Sequence, residues 1–265
     1  LARFRVGRVR VPRFGLLRNA LCLRGEAGGN GQGYNSDQLS NPRAVEIDDS
    51  GNIYVVNDDN FVLKYVPGSI YPDTINKNEN GFHIENIALD TLGNVYAAAR
   101  NNYKLYKWAV GSTIWEIVAG GNVPGNAANQ LNNPTDVYVD SDGNIFIADE
   151  QNHRIQKWAP GATEGVTVAG GNGSGYETNQ LNWPRGIGMD SVGNIYVFND
   201  GNFIRKYAPG ATDGEWIANF FDHAQFMHVN ASGDIYVNDW NSHAVYRWPK
   251  GGDACEIITG GNGAG

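Results

Sequence analysis

The sequence predicts an all-β chain of stacked four-stranded sheets, and three observations predict it. A unit recurs along the 265 residues: between residues 119–149 and 169–199, fifteen of thirty-one aligned positions are identical. Each unit divides into four short β-branched and aromatic runs separated by turn residues. No window sustains apolar residues at spacings of three and four, and 35 Gly with 10 Pro break helical runs throughout.

The elements follow in order within the clearest unit. Asp136-Val137-Tyr138-Val139-Asp140 alternates as a strand facing two environments, Ser141-Asp142-Gly143-Asn144 turns the chain, and Ile145-Phe146-Ile147-Ala148 forms the second strand. After a second polar turn, Arg154-Ile155-Gln156-Lys157-Trp158 alternates again, Pro160-Gly161 stops it, and Val166-Thr167-Val168 is the fourth run. The turn glycine repeats as Gly51, Gly93, Gly143, Gly193 and Gly233, at intervals of 42, 50, 50 and 40 residues. The short intervals lack the Gly/Asn-rich stretch that ends in Asn-Gln-Leu-Asn-x-Pro, so length varies in one loop. Tyr65, Trp108, Trp158, Tyr207 and Trp248 end the third strand of every unit, the mark of packing between units.

A four-stranded sheet of this length cannot bury both faces alone, so each unit must pack on its neighbours. Radial stacking of such sheets at a period of 40 to 50 residues is the β-propeller solution. Pro134-Thr135-Asp136-Val137-Tyr138-Val139-Asp140, Gly143-Asn144-Ile145-Phe146-Ile147-Ala148-Asp149 and Asn152-His153-Arg154-Ile155-Gln156-Lys157-Trp158 also resemble the NHL repeat, and the resemblance runs over about residues 25–265. It implies a propeller of four-stranded antiparallel blades. It leaves function open, since NHL propellers include interaction domains, RNA readers and lyases.

Five complete units are visible, with partial material at both ends: residues 20–29 read as the last strand of a preceding blade, and Gly260-Gly261-Asn262-Gly263-Ala264-Gly265 as the start of another unit. The expectation is therefore a piece of a longer repeat protein whose parent ring has six blades, with five blades as the alternative. Residues 1–24 form an Arg-rich N-terminal segment, read as a partial or closing blade, and residues 25–265 form the propeller.

The formal charge is −8, but residues 1–25 hold seven Arg and no acid, leaving 13 basic against 28 acidic residues elsewhere. An acidic propeller repels phosphate backbones and disfavours nucleic acid as a partner. No stretch is long enough to span a membrane. Cys22 and Cys255 occupy similar last-strand positions, either as two buried thiols or as a bridge if the first and last blades adjoin; they do not decide the compartment. Oligomeric state is not readable.

Candidate chemistry is sparse. Asp140-Ser141-Asp142-Gly143-Asn144 imitates the start of a calcium loop but lacks its twelfth-position Glu, and the equivalent segments from Asp48 and Asp90 fit a hairpin turn. Gly170-Gly171-Asn172-Gly173-Ser174-Gly175 has no following Lys-Ser/Thr and no helix, so it is not a phosphate cradle. The innermost strands align Glu46, Ala88, Tyr138, Gly188 and His228, which is not a ring of metal ligands. No cofactor is implied, and the chain is expected not to be an enzyme.

Recognition is instead expected on the rim shared by the loop before each first strand and the loop between second and third strands. There the framework repeats while Arg43, Glu85, Thr135, Arg185 and Gln225 vary after the strand entry. Asp58, Arg100, Glu150, Asp200 and Trp240 vary in the other loop, and Trp183 replaces Asn133. This reads as a non-catalytic propeller binding a protein, peptide or glycan. The alternatives carried by the resemblance are a lyase or hydrolase with an axial metal, and an RNA-binding domain of the TRIM-type ubiquitin ligases.

Overall fold

The computed structural model describes residues 32, 33 and 38–261, apart from 59, 60, 70, 77–80, 82, 122, 201, 202, 220–223, 240 and 253. The Arg-rich segment 1–24, the partial strand read at 20–29, Cys22 and residues 262–265 lie outside the described residues.

Among the described residues, twenty strands form five sheets of four. The first blade holds β1 (Val45–Ile47), β2 (Ile53–Asn57), β3 (Phe61–Tyr65) and β4 (Asp73–Asn76). The second holds β5 (Ile84–Leu89), β6 (Val95–Ala99), β7 (Lys104–Trp108) and β8 (Trp115–Gly120), and the third β9 (Pro134–Val139), β10 (Ile145–Asp149), β11 (Arg154–Trp158) and β12 (Val166–Gly170). The fourth holds β13 (Pro184–Met189), β14 (Ile195–Asn199), β15 (Phe203–Tyr207) and β16 (Glu215–Asn219), and the fifth β17 (Ala224–Val229), β18 (Ile235–Asp239), β19 (Ala244–Trp248) and β20 (Glu256–Gly260). All pairs within a sheet are antiparallel between sequence neighbours, and the first strands contact one another in succession, β1 with β5, β5 with β9, β9 with β13 and β13 with β17. The chain is a five-bladed β-propeller. The six-bladed expectation rested on counting partial units at both ends, residues outside those described; the five-bladed alternative fits.

Each blade begins with the same hairpin, and its chemistry explains the recurring aspartate. In the third blade Asp142 and Asn144 donate their backbone N–H groups to Asp140 Oδ1 at 3.0 and 2.8 Å, and the Asn144 amide donates to Oδ2 at 2.8 Å. Gly143 takes φ of 78°, the left-handed conformation this turn needs. Asp48, Asp90 and Asp190 repeat the arrangement, while the fifth blade inverts it: the Asp234 N–H donates to Asn230 Oδ1 and the Asn230 amide to Asp234 Oδ2. The aspartate of the apparent calcium loop is thus engaged in capping a hairpin.

Among the described residues an apolar cluster lies between each blade and the next along the chain. Trp158 packs with Ala98, Leu105, Val137 and Ile147 against the second blade, and Tyr207 packs with Phe146, Ile155 and Val197 against the third. Of the five recurring aromatics, Tyr65, Trp108, Trp158 and Tyr207 are fully buried, and Trp248 is half-buried. Cys255 is half-buried and in no disulfide.

Candidate functional site

The two loops expected to share a rim are stitched together by backbone. Gln151 N donates to Asn132 O and Asp200 N to Trp183 O, both at 3.1 Å, while Arg100 N donates to His83 O at 2.9 Å. Side chains lock the same corner: Ser40, Asn132 and Asn182 donate N–H groups to Asn57, Asp149 and Asn199, the last residues of their second strands. The rim is therefore built by the same residues that terminate β2, β10 and β14.

The variable charges on this rim largely satisfy one another across blades. Arg43 of the first blade reaches Glu85 of the second at 3.4 Å, and His83 Nε2 lies 2.8 Å from the same carboxylate. Arg100 of the second blade donates to Glu150 of the third at 2.7 Å, Arg185 of the fourth lies 3.5 Å from Glu150, and Arg185 also lies 3.6 Å from Asp200. The Glu150 side chain is only 1 % exposed; burial raises its pKa, opposed by the two guanidinium groups. Thr135 is buried and donates its hydroxyl to Pro184 O at 3.1 Å, another bond between blades. Asp58 is half-buried with φ of 53°, and the Gln225 side chain and Trp240 lie outside the described residues.

Trp183 is the exception. It occupies the position of Asn41 and Asn133 and shares their left-handed conformation, with φ of 48° against 51° and 55°. Asn tolerates this region by local hydrogen bonding, whereas a bulky aromatic enters it at a cost. The Trp183 N–H donates to His153 Nδ1 at 3.2 Å, and the two rings meet edge to face at 5.4 Å. His153 itself has φ of 52° and a pKa lowered by burial, consistent with a neutral ring accepting at Nδ1. Beside them, Tyr176 is 60 % exposed and its ring leans on Phe203, which stacks on Trp216 at 4.7 Å with the Arg205 guanidinium alongside.

Near the axis, sequence reasoning passed over a second polar group. Asp136 on β9 is buried and accepts from the Asn86 amide of the second blade, from Ile187 N of the fourth at 2.7 Å and from its own neighbour Val137 N at 2.8 Å. It therefore ties three innermost strands together. Burial pushes its carboxyl up to about 7 against those three donors, and burial followed by the Asp136 charge pushes Glu46 of β1 up to about 7 as well. Partial desolvation lowers the pKa of His228 on β17. No group of three His, Cys, Asp or Glu placed to hold a metal ion occurs among the described residues. The signal for Asp136 was a charged residue inside a β run where the first and fourth blades place Ala44 and Gly186.

This architecture defines a class, the β-propellers, and one NHL repeat is matched within it, over residues 131–158. Those residues run from the Asn-rich entry loop through Trp158. The chain is similar in structure to one in a crystal structure of a nidogen/laminin complex, with TM-score 0.66 and 15 % identity over 82 % of this chain and 78 % of that one. It is also similar to virginiamycin B lyase from Staphylococcus aureus, with TM-score 0.58 and 10 % identity over 82 % of this chain and 69 % of the lyase. At these identities the likeness is one of fold. No curated protein matches by sequence.

Proposed function

We propose that this chain is a non-catalytic binding propeller that recognises a protein or peptide through the rim of its third and fourth blades. One observation carries the reading: Trp183 holds a left-handed backbone conformation where the first and third blades use Asn, so an aromatic ring is kept on the rim at a conformational cost. Tyr176 and Arg185 lie on the same blade, exposed, and aromatic and Arg side chains are the residue types that lose most on truncation at interfaces. The structure of a complex among the fold's relatives agrees with a binding role. Arg100 and Glu150, paired across blades at 2.7 Å, are read in this proposal as scaffold for that surface.

The immobilised chain, Trp183→Asn and the opposite-rim variant Asp142→Lys would be compared for captured proteins by quantitative mass spectrometry. The expected result is a partner lost with Trp183→Asn and retained with Asp142→Lys. Loss with Asp142→Lys alone would place recognition on the other rim.

A further inference from the structure

One corner of the fifth blade has an acid opposite alanine where the third blade sets the same acid opposite arginine. The last residue of each second strand pairs with the first of the third strand: Asn57 with Phe61, Ala99 with Lys104, Asp149 with Arg154, Asn199 with Phe203 and Asp239 with Ala244. In the third blade this pair is a complete guanidinium site. Arg154 Nε and the Asn152 amide donate to Asp149 Oδ2, each at 2.7 Å, and the remaining Arg154 donors reach the carbonyls of Asn126, Ala127 and Gln130 at 2.8 to 3.1 Å.

The fifth blade reproduces the strands and the turn of that corner, though its shorter unit lacks the stretch that supplies the Asn126, Ala127 and Gln130 carbonyls. His153 and His243 both have φ of 52°, Gly171 and Gly261 donate to their carbonyls at 2.9 and 3.0 Å, and Arg154 and Ala244 face Gly170 and Gly260. Asp239 is 3 % exposed and its Oδ1 accepts from Asn241 N at 2.8 Å and Ser242 N at 3.2 Å. Its Oδ2 and the Ser242 hydroxyl, however, are buried and have no hydrogen-bond partner among the described residues. A buried carboxylate oxygen without a donor is costly, and deleting the acid along with the base would have removed that cost.

We propose that Asp239 and Ser242 form a receptor for the guanidinium of an arginine side chain presented by a partner, taking the place that Arg154 fills within the third blade. A planar fork with several donors suits two oxygen acceptors better than the point charge of an ammonium. The acidic balance of the chain outside its first 25 residues favours approach of such a cationic segment. The position borders the rim proposed for recognition and rests on that reading for the partner, but the socket can be tested without one.

Argininamide would be titrated into the full chain and followed by NMR. Saturable binding is expected, roughly tenfold weaker for lysinamide and for Asp239→Asn. Ala244→Arg supplies the guanidinium from within, so it should raise the melting temperature and abolish argininamide binding. Argininamide that fails to bind, or binds Ala244→Arg as it binds the wild type, overturns the proposal. A captured partner lost with Trp183→Asn but insensitive to excess argininamide would leave the rim reading standing and remove the socket from it. Argininamide binding with no rim partner would do the reverse.

Discussion

The third and fifth blades share their strand order, their hairpin register and the bulge between third and fourth strands, which falls at Ile155/Gln156 in one and Val245/Tyr246 in the other. They differ in what surrounds them. Asp136 on the third blade is buried, whereas its counterpart Phe226 on the fifth is 38 % exposed; Trp158 is 1 % exposed, whereas Trp248 is half-buried. The outer strand β20 leaves Ile257 and Ile258 about half exposed. The third blade packs on the second through Val137 and on the fourth through Phe146, while the fifth packs on the fourth through Val229 and Val237. The repeat unit thus specifies backbone, and the energy of a residue within it depends on how many neighbouring blades it touches, as in other repeat architectures.

The largest effect expected from that comparison is at the recurring aromatic. Trp158→Ala should cost about 3 to 5 kcal/mol in urea-induced unfolding, because it empties a closed space between blades. Trp248→Ala should cost only about 1 to 2 kcal/mol, since its ring is half in water and its N–H donates to Gly252 O at 2.8 Å. Equal losses would show that the blades contribute alike and that neighbour count is not the controlling quantity. Next in size, Arg154→Ala should cost about 3 kcal/mol, because it removes the charge partner of the buried Asp149 carboxylate and strands three loop carbonyls. Asp149 would keep the Asn152 amide and the Asn132 N–H as donors, and so would stay better satisfied than Asp239 in the fifth blade.

Backbone was legible in the sequence because it is local. Turn glycines, alternation and the Asp-to-Asn hairpin all act within six residues, and the recurrence of Tyr65, Trp108, Trp158 and Tyr207 marked the packing between blades. The rim was only half legible. Its loops were placed together, but Arg43 with Glu85 and Arg100 with Glu150 lie 42 and 50 residues apart and meet only because one repeat lies beside the next. Residues read as free for recognition were therefore partners of one another. Opposite charges one period apart were the available signal, and variability was a weaker one. Asp136, Asp149 with Arg154, and Asp239 were missed because a polar residue at one position of one unit looks like drift until its neighbour across the blade is known.

A smaller effect separates the axis from the periphery. Asp136 has a folded pKa raised to about 7, so the folded state holds the proton more tightly than the unfolded chain. Its contribution is complete below the unfolded value of about 4 and is lost as pH rises towards 7, which makes stability fall across that window and level off above it. The decline should be a few kcal/mol at most, at about 1.4 kcal/mol for each pKa unit, with the donors Asn86, Val137 and Ile187 already holding it below what burial alone would give. Asp136→Asn should flatten the profile while lowering stability throughout, since an amide nitrogen then faces a donor. Urea midpoints measured from pH 4 to 8 check this; an unchanged slope in the variant would assign the titration to another group such as Glu46.

The smallest change in stability, and the sharpest division between scaffold and recognition, is expected at Trp183. Asn there restores the residue that the first and third blades place at φ of 51° and 55°, which relieves a left-handed aromatic. It also forfeits the edge-to-face contact with His153, and the two terms oppose each other, so the net change should stay within about 0.5 kcal/mol. Trp183→Gly separates them: glycine removes the strain and the contact together without adding a hydrogen-bonding side chain. If both variants unfold at the wild-type midpoint while losing the captured partner, the ring is on the rim for recognition. If both are destabilised by more than about 2 kcal/mol, Trp183 is a packing residue like Trp158, and the difference between its blade and the others is structural.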